Sequence, residues 1–218
     1  IWLIILIINR RDSVKKWFYP LGFVTLLGFT MLFLNIAKDE VVSLDQKMGN
    51  LLEGNSFITA FHYFGDTKFI LLIALLIILL LWIRSHNYRG MLFVLFTVGV
   101  GNALNQLLKR VIQRERPDVP SQLETYSFPS GHAMVGLLYL FTIAYLATEH
   151  QTNRKITVTI WLGAIFMSVM IGLSRIAESR HYASDVFAGW MVGYTWFVLV
   201  ALWYEYRKRK RKNKKNRL

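Results

Sequence analysis

The chain has 218 residues, of which 54% are apolar, and its excess of basic over acidic side chains gives a formal net charge of +13. With a mean hydropathy of +0.36 it is too apolar for a soluble domain, which needs polar surface to cover its core. It contains no cysteine, which excludes disulfides, thiolate metal ligands and a cysteine nucleophile.

The opening stretch IWLIILII is apolar over only eight residues and starts without Met, as a processed, trimmed or engineered chain would. It is too short to span a bilayer alone, and it lacks the basic flank and small-residue cleavage site of a signal peptide. Apolar runs long enough for a helix to cross about 30 Å of hydrocarbon then recur at 18–37, 69–84, 90–108, 133–148, 156–173 and 185–204. These runs are apolar on every face, whereas barrel strands would alternate over about ten residues. The sequence therefore predicts an all-α, polytopic membrane protein. It comprises an N-terminal apolar and basic segment 1–17, a six-transmembrane-helix bundle over 18–204, and a basic tail 205–218.

Charge orients the bundle. Six helices put 9–17, 84–89, 149–155 and 205–218 on one side, and these segments hold 17 of the 26 Lys and Arg residues. Basic connections face the cytoplasm, so the expectation is a multi-pass plasma-membrane protein with both termini inside. The tail RKRKRKNKKNRL reads as an anchor attracted to anionic lipids, not as a nucleic-acid-binding segment. Trp17 to Tyr19 and Trp203 to Tyr206 suit the interfacial aromatic belt.

The other face carries nine cations, six of them in two places: Lys109, Arg110, Arg114 and Arg116 after the third run, and Arg175 and Arg180 between the fifth and sixth. Cations drawn toward the bilayer are costly, roughly 2.5–3.5 kcal/mol each at its centre, and an anionic ligand would supply a reason for them. In KRVIQRERP, Lys109 and Arg116 are seven residues apart, so a continuous helix would set both on one face, with Pro117 ending it. In isolation a juxtamembrane snorkelling cluster accounts for the same pattern.

FPSGHAM opens the fourth run. The first turn of a helix aims unpaired amides outward, Gly131 lets an anion approach the backbone, and Ser130 adds a hydroxyl, which together make a phosphate seat. His132 stands at its rim as a group able to exchange a proton near neutral pH. An ordinary helix cap would look the same. In SRIAESRHYASD, His181 and Asp185 are four residues apart, so at the start of a helix the carboxylate can take the proton on one ring nitrogen and leave the other nitrogen's lone pair for attack. Arg175 adds a planar fork suited to phosphate oxygens. A structural hydrogen bond at a helix start is the alternative for the His–Asp pair.

Taken jointly, Lys109-x6-Arg116-Pro117, Pro129-Ser130-Gly131-His132 and Ser174-Arg175-x5-His181-x3-Asp185 resemble the tripartite signature of the type-2 phosphatidic acid phosphatase, or lipid phosphate phosphatase, superfamily, in its integral membrane bacterial form. The resemblance implies a hydrolase that needs no metal or other cofactor and acts on a membrane lipid phosphate from the extracellular or periplasmic side. It implies that Lys109, Arg116 and Arg175 clamp the phosphoryl oxygens with Ser130 and the amide of Gly131. His181 would be the nucleophile, giving a phosphohistidine, with Asp185 as its partner, and His132 would protonate the leaving oxygen.

Two other classes stay in view. A metal site is disfavoured by three nearby cations, which repel a dication, and a lipid transporter or flippase would not need the His–Asp pair. The signature reads phosphate and not the lipid tail. Undecaprenyl pyrophosphate and phosphatidylglycerophosphate are the favoured substrates, with phosphatidate and diacylglycerol pyrophosphate as the alternative. Gly189 and Gly193 are expected to form an intramolecular packing seam. Asn102, Asn105 and Gln106 are expected to hydrogen-bond inside the bundle, and His86 and His150 to be solvated. The outer loop 38–68, with FHYFGD near its end, is long enough to cover the site, and His62 with its aromatic neighbours is expected to lie in the membrane interface, with contact to the lipid headgroup as the alternative.

Overall fold

A computed structural model describes residues 13–36, 40–117 and 125–215. The apolar opening 1–8 and residues 216–218 of the tail lie outside them. The described residues are helical and contain no strand. Helix α1 (Ser13–Ile36) is followed by α2 (Val42–Leu52) and by the short α3 (Ser56–Thr59), which runs into a 3-10 turn at Ala60–Gly65. Then come α4 (Thr67–Ser85), α5 (Tyr88–Ile112), α6 (Gly131–Thr148), α7 (Arg154–Ala177) and α8 (Ala183–Lys215).

Five helices are long and apolar enough to cross a membrane: α4, α5, α6, α7 and the Ala183–Lys210 part of α8. Pro20–Ile36 of α1 is a shorter apolar helix. The six-helix bundle is therefore present, with α6 and α8 most enclosed by protein and α4 turned outward. The ends of α5 and α7 and the starts of α6 and α8 meet at one end of the bundle, because successive helices run antiparallel.

Small residues let the helices that carry this end approach closely. A Cβ on Gly189 of α8 would lie 2.7 Å from the Ser130 carbonyl, and one on Gly193 would lie 3.0 Å from the Met134 carbonyl. The G-x-x-x-G pair is thus a seam between α8 and the first turn of α6, as the sequence suggested. On the other side of α8, Thr25 of α1 and Thr195 share a hydrogen bond of 2.9 Å. Within the bundle α5 widens into a π-helical turn at Leu95–Val100. Trp196 Nε1 donates to the Phe96 carbonyl there at 2.9 Å, and Thr142 and Thr97 hydroxyls pair at 2.8 Å. In hydrocarbon a carbonyl loosened from the helical ladder needs such partners.

Three elements differ from the sequence reading. Of the segment 38–68, the described residues 40–68 are largely helical: Asn55 caps α3 through Ile58 N at 3.1 Å, and Asp66 caps α4 through Lys68 N at 2.8 Å. Helix α8 also continues unbroken through the basic stretch to Lys215, because Lys and Arg are good helix formers and nothing there breaks the ladder. Lys208 in that stretch donates to Glu149 at 2.7 Å, and Tyr204 donates to the other Glu149 oxygen at 2.8 Å. Part of the tail is therefore committed to the protein itself. Finally, α5 ends at Ile112, not at Pro117, which alters how the site is assembled.

Candidate active site

Gln113 adopts a left-handed conformation, with φ 53°, and its amide closes on the Lys109 carbonyl, ending α5 four residues before Pro117. Lys109 and Arg116 are therefore not on one helical face, contrary to the sequence expectation. They converge by another route. The chain turns back at Gln113, and residues 125–127 hold the returning segment: Ser127 N donates to the Arg114 carbonyl at 2.8 Å and Ser127 Oγ to the Glu115 carbonyl at 2.8 Å. Lys109 Nζ donates to the Tyr126 and Ser127 carbonyls. Both cations end buried.

Arg116 is held on three sides. Nε donates to the Thr125 carbonyl at 2.6 Å, Nη2 to the Thr125 hydroxyl at 2.9 Å, and Nη1 to the Arg180 carbonyl at 2.7 Å. Nη1 also lies 3.1 Å from Nε2 of His181. A guanidinium only donates, so Nε2 accepts and carries the lone pair. On the far side of the ring, Nδ1 faces Oδ2 of Asp185 at 3.4 Å and is the protonated nitrogen. His181 and Asp185 do not stack along one helix, because α8 begins at Ala183. His181 sits in the turn before it, while Asp185 is in the first turn and also accepts from Tyr182 N at 3.0 Å.

The turn itself is shaped by Arg175, whose carbonyl accepts the amides of Arg180 and His181 at 3.0 and 3.2 Å. The Arg175 side chain is buried and donates through Nη1 to Glu178 at 2.6 Å, while its Nε finds no protein partner. Ser130 caps α6, its hydroxyl accepting weakly from Ala133 N at 3.5 Å, and its amide donates to the Asp185 carbonyl at 3.0 Å. This bond ties the second motif to the third. Gly131 packs closely on Asn105: a Cβ there would come 3.1 Å from Oδ1 of Asn105. Asn105 is fully buried and donates through Nδ2 to the Pro129 carbonyl at 3.2 Å, so it supports the P-S-G-H turn from below.

His132 lies in the first turn of α6 within electrostatic reach of Arg175, His181, His62 and Arg116. All eight residues singled out in the sequence thus gather at one end of the bundle. Burial pushes His181 down to about 4; the Asp185 carboxylate opposes this shift and the cations Lys109 and Arg116 add to it. Burial first, and then the neighbouring Arg175, hold Arg116 below its ordinary value, with Asp185 opposing. The arrangement presents a neutral imidazole with its lone pair among cations, which suits attack on an anionic phosphorus centre.

Several groups around the site were not picked out from the sequence. Arg114 was counted only as one of the basic residues, and Asp45, Glu178 and Thr125 were not singled out at all. Residues of the 40–68 stretch lie against the site. Gly54 N donates to the Ala177 carbonyl at 3.1 Å, the Ser179 hydroxyl donates to Glu53 at 3.0 Å, and His62 Nδ1 lies 2.8 Å from Glu178. His62 thus faces protein beside Arg175 and is not simply set in the lipid interface. Gly65 presses on His132, since a Cβ there would lie 2.7 Å from the ring. His86 and His150 are exposed, as expected.

Known proteins resemble the chain in sequence and in fold. Phosphatidylglycerophosphatase B of Bacillus subtilis (strain 168) is 31% identical over 151 residues, 67% of this chain and 73% of that protein. Undecaprenyl-diphosphatase of Sulfolobus acidocaldarius is 26% identical over 124 residues, 53% of this chain and 55% of that protein. A crystal structure of a transmembrane PAP2 type phosphatidylglycerolphosphate phosphatase from Bacillus subtilis matches with a TM-score of 0.76 at 28% identity, covering 84% of this chain and 96% of that one. The PAP2 superfamily model matches residues 90–209, a segment containing all eight residues gathered at the site, and the chain belongs to the PAP2 superfamily.

Proposed function

We propose that this membrane hydrolase removes the terminal phosphoryl group from a lipid phosphate or lipid pyrophosphate at the outer face of the membrane, through a phosphohistidine on His181. The line from Arg116 Nη1 through the imidazole to Asp185 carries the reading. It fixes the tautomer that a nucleophile needs, with the lone pair on Nε2 and the proton on Nδ1.

In this reading the phosphoryl oxygens displace the Arg116 donor from Nε2 and take it for themselves, together with Lys109, Arg175, Ser130 and the amide of Gly131. Nε2 bonds to phosphorus while the bond from phosphorus to the leaving oxygen breaks, and His132 gives that oxygen its proton. Asp185 stabilises the imidazolium that results. Water then attacks phosphorus, His132 takes a proton from it, the P–N bond breaks, and inorganic phosphate leaves. Charge stabilisation by the three cations outweighs the roughly 100- to 10,000-fold supplied by a general acid. The same cations disfavour a bound dication, and the histidine–carboxylate pair has no use in a transporter or flippase.

Phosphatidylglycerophosphate and undecaprenyl pyrophosphate are the favoured substrates, in keeping with the activities for which two similar proteins are named. A broader phosphatidate and diacylglycerol pyrophosphate phosphatase is the second reading. The domain 18–204 carries the reaction, while 1–17 and 205–218 lie inside the cell, where the tail's remaining cations meet anionic lipids. Phosphate release from a panel of these four lipids in detergent, with and without chelator, tests the proposal. Release that survives chelator and prefers one of the first two lipids supports it; no release from any of the four would refute it.

A further inference from the structure

The reaction proposed above uses Asp185, but it assigns nothing to the groups behind that carboxylate. Asp185 is fully buried. Its Oδ2 serves His181, while its Oδ1 accepts from Arg114 Nη1 at 2.6 Å. The same nitrogen donates to the Ser184 hydroxyl at 2.7 Å, and Nη2 donates to Oδ2 of Asp45 at 2.8 Å. Asp45, on α2, in turn accepts from Ser184 N at 2.8 Å and from the Ser184 hydroxyl at 2.7 Å. The guanidinium of Arg114 also lies over the Tyr182 ring, 4.3 Å from its centroid. Asp45 from α2 and Ser184 and Asp185 from α8, far apart in sequence, thus close on one guanidinium.

Resting on the reading of His181 as nucleophile, we propose that Asp45 and Arg114 are positioning residues for the His181–Asp185 pair. Arg114 locks one oxygen of Asp185 so that the other points at the imidazole, and Asp45 offsets the charge of Arg114 so that Asp185 keeps its negative potential for the imidazolium.

The second half of this proposal follows from Coulomb's law. A cation 2.6 Å from Asp185 draws the carboxylate's charge away from His181. Little water reaches these groups to screen the effect, since Asp45 is 7% exposed and Asp185 0%. A second carboxylate on the opposite edge of the same guanidinium cancels most of that pull. The signs alternate along the row from Asp45 to Arg114 to Asp185 to the developing imidazolium. A brace that merely joined α2 to α8 would need no charge on Asp45, because the Ser184 amide and hydroxyl already hold it there. In metal sites, losing an outer partner that orients a ligand typically costs on the order of 10- to 100-fold, and we take the same order for this carboxylate.

The test compares Asp45→Asn, Arg114→Gln and the double variant with His181→Ala, in purified full-length protein that elutes and melts as a folded species. We expect each single variant to slow phosphoenzyme formation and kcat by on the order of 10- to 100-fold. KM should be nearly unchanged, since Lys109, Arg116 and Arg175 still hold the phosphate. We also expect the double variant to be no slower than Arg114→Gln alone, because Asp45 matters only while Arg114 is charged. Normal kcat in folded single variants, or losses that multiply in the double variant, would overturn the proposal while His181→Ala stays inactive. Full turnover by His181→Ala would overturn the parent reading instead. If Arg114→Gln or Asp45→Asn does not fold, Arg114→Lys replaces them: it keeps the charge but loses the planar fork that bridges Asp45 and Asp185. A loss of kcat of about 10-fold or more is then expected, and normal kcat in the folded variant would overturn the proposal.

Discussion

Arg116 Nη1 donates to Nε2 of His181 at 3.1 Å, so the cation expected to bind substrate rests on the lone pair expected to attack it. One N–H cannot fill both roles at once, and a phosphate would take it, because the oxygens of phosphate accept from a guanidinium more strongly than a neutral imidazole does. Burial pushes His181 down to about 4 from its ordinary 6.5, so the lone pair is available throughout the neutral range.

That shift makes a prediction about stability. Between the unfolded value of 6.5 and the folded value of about 4, the unfolded chain binds more protons at this residue than the folded one does. The contribution of His181 is therefore fully present above pH 6.5 and is lost as pH falls through about 4. The thermal midpoint in detergent should fall across this window, and His181→Ala should fall less steeply than the parent. Equal slopes for the two proteins would show that His181 is not held neutral by the fold.

Arg175 is buried, one of its nitrogens is engaged by Glu178, and its Nε meets no protein partner. Arg175→Lys keeps the charge and loses the planar fork. We expect a loss of at least about 10-fold in kcat/KM, worth about 1.4 kcal/mol of transition-state binding, with normal yield of folded protein. Near-normal kcat/KM would remove Arg175 from the site.

Gly65 tests the cover over the site. A Cβ at this position would sit 2.5 Å from Ile171 and 2.7 Å from His132, closer than packed atoms tolerate, so either the segment or the imidazole must move. Gly65→Ala should lower kcat with only a modest change in thermal midpoint, because overpacking costs about 1–3 kcal/mol and the strain falls on the face that presents His132. Unchanged kcat would mean that the cover can shift without disturbing the site.

The apolar runs were legible because hydrocarbon imposes one length and one composition on a spanning helix. The motif residues were legible only jointly: each motif alone reads as a snorkelling cluster, a helix cap or a helix-start hydrogen bond, and it is the three together that resemble one signature. What was not legible depends on long-range closure. Gln113 ending α5 in a left-handed turn has no strong local signal, so the route by which Lys109 meets Arg116 was misread. Asp45 lies 140 residues from the carboxylate it supports, in a helix with no marked motif, and only the fold places it behind Arg114. The continuation of α8 into the tail was hidden because a basic run can be an anchor and a helix at once.

Orientation can be checked by labelling, since the chain has no cysteine of its own. Asn50 on α2 and Arg209 near the end of α8 are both exposed. The charge distribution predicts that Asn50→Cys reacts with an impermeant thiol reagent in intact cells and that Arg209→Cys reacts only after permeabilisation. The opposite pattern would reverse the topology.

The most direct measurement is of the covalent intermediate. Lipid substrate labelled in its terminal phosphate should transiently label the protein with an acid-labile, base-stable adduct, as a phosphoramidate gives. His181→Ala should abolish both adduct and turnover. Asp185→Asn should leave a folded protein that forms the adduct more slowly, as loss of an orienting carboxylate does in a triad, and chelator should change neither result. A folded His181→Ala protein that turns over normally, or activity that vanishes with chelator and returns with a divalent ion, would contradict the phosphohistidine mechanism.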